Sequence, residues 1–350
     1  MKAPFPYFGG KSKIAPEVWR RLGPDVGNYV EPFFGSGACL LARPEWTPGA
    51  GYIETVNDKD GMVANFWRAL QDDPAAVAGY ADWPANENDL HARHAWLVRQ
   101  KFETDFIAQL EGDPDYYDPK IAGWWVWGLS LWIGGGFCSG DGPWQAVDGR
   151  LENGDAGKGV TRKLLHLGDA GKGVTRKLLH LGDAGQGVKR GSISGLPAYF
   201  ETLAARLRRV RVCCGDWARV VTFSVTENNG TTAVFLDPPY SAEAGRDNST
   251  YAEEDLTVAH AAREWAISKG DNPRYRIALC GYDLEHEEAM PDDWERLSYS
   301  GNRGMAHIGN DNRHREVVWF SPHCLKAPVQ MRMFVPSQSS NGLKQIAEAE

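Results

Sequence analysis

The stretch Asn28-Tyr29-Val30-Glu31-Pro32-Phe33-Phe34-Gly35-Ser36-Gly37-Ala38-Cys39-Leu40-Leu41 joins a short apolar strand candidate to a glycine-rich turn and an apolar helix start. In that order the three form the entry of a nucleotide-type α/β site, because glycines let backbone approach a ligand at the strand end. A second strand around residues 52–56 ends at Asn57-Asp58, which places Asp58 21 residues past Gly37. An acid at about that distance commonly binds ribose hydroxyls. No third glycine follows at the dinucleotide spacing, so a pyrophosphate-free adenosine ligand fits better than NAD.

A second constellation lies far downstream, in Thr231-Thr232-Ala233-Val234-Phe235-Leu236-Asp237-Pro238-Pro239-Tyr240. Residues 233–236 read as a buried strand. The two prolines cannot continue it, so Asp237, the neighbouring carbonyls and the Tyr240 ring project from a stiff strand end. An acidic acceptor fixed beside a backbone carbonyl can take both hydrogens of one exocyclic amino group and leave its nitrogen lone pair free to attack. An adjacent aromatic face stacks a planar base, worth about 1–3 kcal/mol. Taken alone, these residues are equally a strand ending in a proline turn with a surface tyrosine.

Near the start, Pro6-Tyr7-Phe8-Gly9-Gly10-Lys11 combines an aromatic pair, a glycine pair and a lysine, with Ser12 expected to cap a helix through Ile14, Val18 and Leu22. By itself this is a flexible N-terminal turn; its glycines also permit close approach to a ligand, and Lys11 can meet a carboxylate. With Pro-Tyr-Phe-Gly-Gly-Lys, Glu-Pro-Phe-Phe-Gly-Ser-Gly-Ala, Asn-Asp and Asp-Pro-Pro-Tyr in that order, the chain resembles the Dam-type N6-adenine DNA methyltransferases. More narrowly, it resembles phage and prophage members, enzymes of DNA modification and restriction-modification. The resemblance covers roughly residues 4–70 and 190–323.

What the resemblance implies is an α/β, Rossmann-like class I methyltransferase sheet with helices on both faces and an inserted target-recognition domain. It implies S-adenosyl-L-methionine as cofactor and double-stranded DNA as partner, with methyl transfer to a flipped-out adenine. Tyr7, Phe8, Gly9, Gly10 and Lys11 would contact the cofactor from the N-terminal turn. Glu31, Pro32, Phe33, Phe34, Gly35, Ser36 and Gly37 would wrap its methionine part and Asp58 its ribose. Asp216 and Trp217 would flank its adenine, and Asp237, Pro238, Pro239 and Tyr240 would hold the target base. Asp237 would also lie close to the cofactor. Two competing readings are a methyltransferase of cytosine N4 or a non-DNA amine, and a non-catalytic DNA-binding protein on the same fold.

Composition is that of a soluble globular chain, 350 residues long with 14 tryptophans and a net charge of -8. Such a charge argues against a general nucleic-acid coat, so DNA contact requires a local basic patch. One exists. Residues 154–167 recur unchanged as 168–181, and a third copy from Gly182 diverges after Gly185. Between Lys158 and Arg190 this segment carries Lys158, Arg162, Lys163, Lys172, Arg176, Lys177, Lys189 and Arg190 against two aspartates. Basic side chains spaced by glycines can follow a phosphate backbone; the bland alternative is a solvated insertion made by duplication.

The discontinuous catalytic domain is expected over 1–75 and 191–325, the recognition region over 76–190, and a tail over 326–350. Residues 89–110 read as one or two helices, with His91 and His94 on a solvated face. The tryptophan-rich segment 121–133 reads as a helix packed on the core, and 194–207 as an amphipathic helix capped by serine and interrupted at Pro197. The glycine-rich loop 134–144 and the segment 302–315 are further surfaces facing DNA or the cleft. Six cysteines with no Cys-x-x-Cys pair suit reduced, buried thiols. No secretory apolar core and no membrane-length run is present, so a cytoplasmic protein is expected. Neither a metal nor an obligate protein partner is called for.

Overall fold

The computed structural model describes residues 1–5, 7, 11–44, 47, 51–132, 137–138, 144–147, 150–153, 195–239, 257–282, 286–299 and 316–326. A 3₁₀ turn at Lys11–Lys13 leads into α1 (Ala15–Leu22), β1 (Asn28–Glu31), α2 (Ala38–Leu41), β2 (Ile53–Asp58) and α3 (Gly61–Asp72). There follow α4 (Pro74–Ala81), α5 (Glu87–Glu103), α6 (Phe106–Gly112) and α7 (Pro119–Leu131), then β3 (Trp144–Val147) and β4 (Arg150–Asn153). The last part holds α8 (Leu196–Leu207), β5 (Val210–Cys214), a 3₁₀ turn at Trp217–Val220, α9 (Phe223–Thr226) and β6 (Thr232–Leu236). It closes with α10 (Val258–Gly270), β7 (Tyr275–Tyr282), β8 (Glu295–Ser298) and β9 (Glu316–Phe320).

The main sheet has the order β5-β2-β1-β6-β7-β9-β8 among the described residues. Its first five strands run parallel, and β9 and β8 close one edge antiparallel. This is the Rossmann-like sheet expected, covered on both faces. Burial of both faces is why β6 reads as a continuous apolar run rather than an alternating one. Tyr29, Ala233, Phe235, Ala278 and Cys280 point into the larger core with α1, α3, α4, α7 and α8. The intervening Val30, Val234, Leu236, Ile277 and Leu279 point into a smaller one with Ala266 of α10 and Trp294.

Several local expectations need correction. Ser12 lies inside the 3₁₀ turn and caps nothing: α1 starts after Ile14, with Pro16 in its first turn where a missing N–H costs nothing. Pro197 likewise begins α8 rather than interrupting it, and Gly195, at φ 103°, occupies the cap position. His94 is not on a solvated face. It is 3 % exposed, packed against the rings of Trp132 and Phe137, and burial pulls its pKa down to about 4. Its Nε2 accepts the Cys138 N–H at 3.3 Å, which anchors that part of the glycine-rich loop inside the protein. The other loop residues just before and after Phe137-Cys138, the repeats 154–190 and the segment 302–315 lie outside the described residues.

The Asp72-Asp73-Pro74 break is a helix restart in which the Asp73 carboxylate accepts the Ala76 N–H at 3.1 Å. From there α4 and α7 stack onto α3, α4 also onto α8, and α5 onto α7. Asn65 of α3 and Asp118, which caps α7, exchange two hydrogen bonds of 2.9 and 2.7 Å. Arg68 of α3 gathers the carbonyls of Leu110, Asp113 and Val212 at 2.9 Å, tying α6 and β5 to one guanidinium. The tightest crossing is α4 on α7, where a Cβ on Gly123 would lie 2.3 Å from Tyr80 Cβ and 2.8 Å from the Val77 carbonyl oxygen. Gly79 has open space around it. Gly123→Ala is therefore expected to lower the unfolding free energy by about 1–3 kcal/mol through overpacking. In the same urea titration Gly79→Ala should raise it by about 0.5–1 kcal/mol, through its gain in helix propensity.

Candidate active site

β1 is flanked by β2 on one side and β6 on the other, so the chains leaving their carboxyl ends diverge and open a crevice at this switch point. The crevice encloses about 890 Å³ of space outside protein atoms, part of it open to solvent. Its walls include Tyr7, Lys11, residues 31–36, 57–60 and 215–217, Asp237 and Pro239.

Asn57 fixes the geometry of the strand ends. Its Nδ2 donates to the Pro32 carbonyl after β1 at 3.1 Å and to the Gly215 carbonyl after β5 at 2.9 Å. Its own carbonyl accepts the Phe34 N–H at 2.9 Å. Both amide hydrogens are thereby committed, and its Oδ1 is buried without a hydrogen-bond partner among the described residues. Above this knot Gly35 adopts φ 48°, and a Cβ there would strike the Tyr7 ring at 2.7 Å, so only glycine permits the turn. Trp67 Nε1 holds the Gly35 carbonyl at 2.8 Å, while the Gly35 N–H donates to Asp58 Oδ2 at 2.8 Å.

Three acids converge on the cleft. Asp58 accepts from Gly35 through Oδ2 and from the Asp60 N–H through Oδ1 at 2.9 Å, yet burial pushes its pKa up to about 7. Glu31 is 2 % exposed, and burial raises its pKa well above the carboxylate range against the opposing hydrogen bonds of the Tyr29 hydroxyl and the Leu40 N–H. Asp237, at the end of β6, forms a 2.9 Å ion pair with Lys11, whose side chain is 4 % exposed. Phe33 stacks on Trp217 with centroids 5.9 Å apart and 30° between planes, making an aromatic wall over β1 and β5.

The structure thus brings together Tyr7, Lys11, Glu31, Pro32, Phe33, Phe34, Gly35, Ser36, Asp58, Asp216, Trp217, Asp237 and Pro239. Gly37, at φ 67°, does not line the crevice; it turns the chain into α2 against Phe34 and Trp67. Pro238 is buried behind the wall. Asp216 spends one oxygen capping the following 3₁₀ turn through the Ala218 N–H at 2.8 Å. Phe8, Gly9, Gly10 and Tyr240 lie outside the described residues. The sequence reading missed Asn57, Lys59, Asp60, Phe235 and Val258 as lining residues. Asn57 and Asp60 sit beside Asp58, so their position signalled proximity, while Val258 comes in through tertiary packing alone.

Residues 7–111 match the family model of the D12 class N6 adenine-specific DNA methyltransferases. Over this span, 105 of the 350 residues, the chain is similar to the D12 class. No curated protein matches the chain. The methyltransferase modifies adenine in DNA with S-adenosyl-L-methionine as methyl donor. The matched span carries Tyr7, Lys11, Glu31 and Asp58, and the Lys11–Asp237 ion pair joins it to the Asp-Pro-Pro-Tyr motif outside it.

The residues of the cleft fit this cofactor. Converging carboxyl groups suit a ligand that carries a sulfonium and an ammonium, and the two Asp58 oxygens suit ribose hydroxyls. The unpartnered Asn57 Oδ1 offers an acceptor to a ligand N–H. Among the described residues no helix is long and apolar enough to cross a membrane, and no cluster of His, Cys, Asp or Glu is placed to hold a metal.

An Asp58 pKa of about 7 means that ionisation disfavours the cofactor-free fold as pH rises from about 4 towards 7. Hydroxyl donors favour the ionised form, so the affinity for S-adenosylhomocysteine should rise with pH through about 7. Calorimetric titration between pH 5.5 and 9 is expected to show that rise in the wild type and a flattened profile in Asp58→Asn.

Proposed function

We propose that the methyltransferase swings its target adenine out of duplex DNA and seats it at the end of β6. A stacked adenine hides its amino group, and extruding it costs a few kcal/mol. There Asp237 and the Pro238 carbonyl accept the two amino hydrogens, and Tyr240 stacks on the base. The observation that carries this reading is the Lys11–Asp237 ion pair at the mouth of the cleft. A buried ammonium at 2.9 Å fixes where the carboxylate points.

When bound, S-adenosyl-L-methionine supplies a methyl group made electrophilic by its sulfonium. Tyr7 and Lys11 contact it from the N-terminal turn, residues 31–36 hold its methionine part, Asp58 its ribose, and Asp216 with Trp217 its adenine. The amino group of adenine is not deprotonated at neutral pH. Orientation by two fixed acceptors therefore supplies most of the acceleration, with little general-base work. Asp237→Ala should keep the fold but lose methylation by about 10²-fold or more. Nucleoside mass spectrometry of treated genomic DNA, read for N6-methyladenine, checks this; turnover near wild type would remove Asp237 from the site.

Target recognition is assigned to residues 76–190, between the two halves of the catalytic domain. Within it Lys158, Arg162, Lys163, Lys172, Arg176, Lys177, Lys189 and Arg190 contact phosphates, supported by a local charge of opposite sign to the chain as a whole. Deleting residues 168–181 removes one whole repeat. DNA affinity or site preference should change while cofactor affinity stays the same, as measured by filter binding and methylation-aware sequencing. Unchanged affinity and preference would make the repeat a spacer.

A further inference from the structure

Lys101 has no place in the chemistry described above, yet it is one of the most deeply buried charges in the protein. It projects from α5, and its side chain is 1 % exposed. Its ammonium lies 3.3 Å from Asp60 Oδ1. That oxygen also accepts the Met62 N–H at 2.9 Å and so caps α3. The backbone N–H of the same Asp60 donates to Asp58 Oδ1 at 2.9 Å. A helix well outside the sheet is thereby connected, through one carboxylate and one peptide N–H, to the acid at the end of β2.

We propose that Lys101 is a positioning residue for Asp58, holding Asp60 as a paired carboxylate so that Asp58 is ionised and correctly aimed for the ribose. The proposal rests on the reading of Asp58 as the ribose acceptor. The geometry gives its physical content. Asp58 and Asp60 are two acids two residues apart on the same wall of the cleft. Like charges at that separation disfavour each other's ionisation unless a cation lies between or beside them. The groups facing Asp58 are Asp60 and Lys101 on this side, the buried Cys214 thiol of β5 below, and Glu31 across the cleft. The buried Cys138 thiol lies on the Lys101 side. Lys101 is the cation that Asp60 pairs with, and it lowers the proton affinity of Asp58 as well. An uncharged side chain at position 101 leaves Asp60 as a buried, uncompensated carboxylate and makes Asp58 harder to ionise.

The test is the pH profile of S-adenosylhomocysteine binding to the full chain, followed by calorimetry from pH 5.5 to 9 in wild type, Lys101→Met, Lys101→Arg and the double variant Lys101→Met with Asp60→Asn. In Lys101→Met the midpoint of the profile should move up by about one unit. Affinity at pH 7 should then fall about fivefold, the ionised fraction of Asp58 dropping from about a half to about a tenth, and recover towards pH 9. Lys101→Arg should restore most of it. The double variant should return the midpoint to near the wild-type value, because the Asp60→Asn side chain still caps α3 and its backbone still donates the N–H, but it no longer needs a cation. A loss that is uniform across pH in Lys101→Met, or an unmoved midpoint, would overturn the proposal and leave Lys101 a packing residue. Should Lys101→Met not fold, the double variant decides: a midpoint displaced upward from wild type overturns the proposal. Asp58→Asn separates the two levels. If it binds as wild type does at every pH, the ribose reading itself has failed and takes this proposal with it; if it flattens the profile while Lys101→Met leaves the profile untouched, only the role of Lys101 is lost.

Discussion

Everything at the cleft depends on how three parallel strand ends are held together once the sheet ladder stops. β1, β2 and β5 each run out into a turn, and their last carbonyls face a protein interior with little water to satisfy them. A buried carbonyl left unpaired costs about 1–3 kcal/mol. Asn57 meets two of these needs with one amide, bonding Pro32 on one side and Gly215 on the other, and the Gly215 N–H returns a bond of 3.1 Å to the Asp58 carbonyl. Those bonds set the spacing between the glycine turn and the Asp216-Trp217 turn, and so the width of the cleft between them. They also leave the amide oxygen unpaired, a cost that a ligand donor offsets.

Charge is the second constraint. Glu31, Asp58, Asp60 and Asp237 lie close together in a site with limited water, an arrangement that like charges resist. Two buried lysines from different parts of the chain moderate it: Lys11 from the N-terminal turn pairs with Asp237, and Lys101 from α5 pairs with Asp60. What remains is still acid-rich and suited to a cationic cofactor. Burial raises the pKa of Glu31 well above the carboxylate range and that of Asp58 to about 7, shifts of the kind that cluster at functional clefts.

The tryptophan-rich helices serve a mechanical purpose. Arg93 of α5 lies over the rings of Trp83, Trp124 and Trp127 at 5.0, 4.8 and 4.4 Å, and Lys120 lies over Trp96 and Trp124. Cation–π contacts of this kind let a helix bundle bury cationic side chains without a carboxylate for each. The block so formed shares one apolar core with α3 and α8. It carries Lys101 on α5, whose backbone is packed on α7 and beside the β3–β4 pair.

Much was readable from residue order alone. The strand–turn–helix at 28–41, the acid 21 residues past Gly37 and the strand before Asp-Pro-Pro-Tyr are local patterns, each determined by backbone sterics and apolar periodicity within a few residues. The structure brings the glycine turn, Asp58 and Asp237 together at one crevice. The β3–β4 pair escaped notice, although Asp148-Gly149 between the two strands is a dipeptide that favours tight hairpins. Other features lay beyond any local pattern. That Lys11 meets Asp237, that His94 is buried between two rings, and that Lys101 reaches Asp60 are pairings between residues 226, 38 to 43 and 41 positions apart. Composition and spacing determined which elements form and where the chemistry-bearing residues fall within them. Which charge faces which was decided only when the sheet and helices packed, since burial and a partner's distance set the ionisation of a side chain and neither exists in the extended chain.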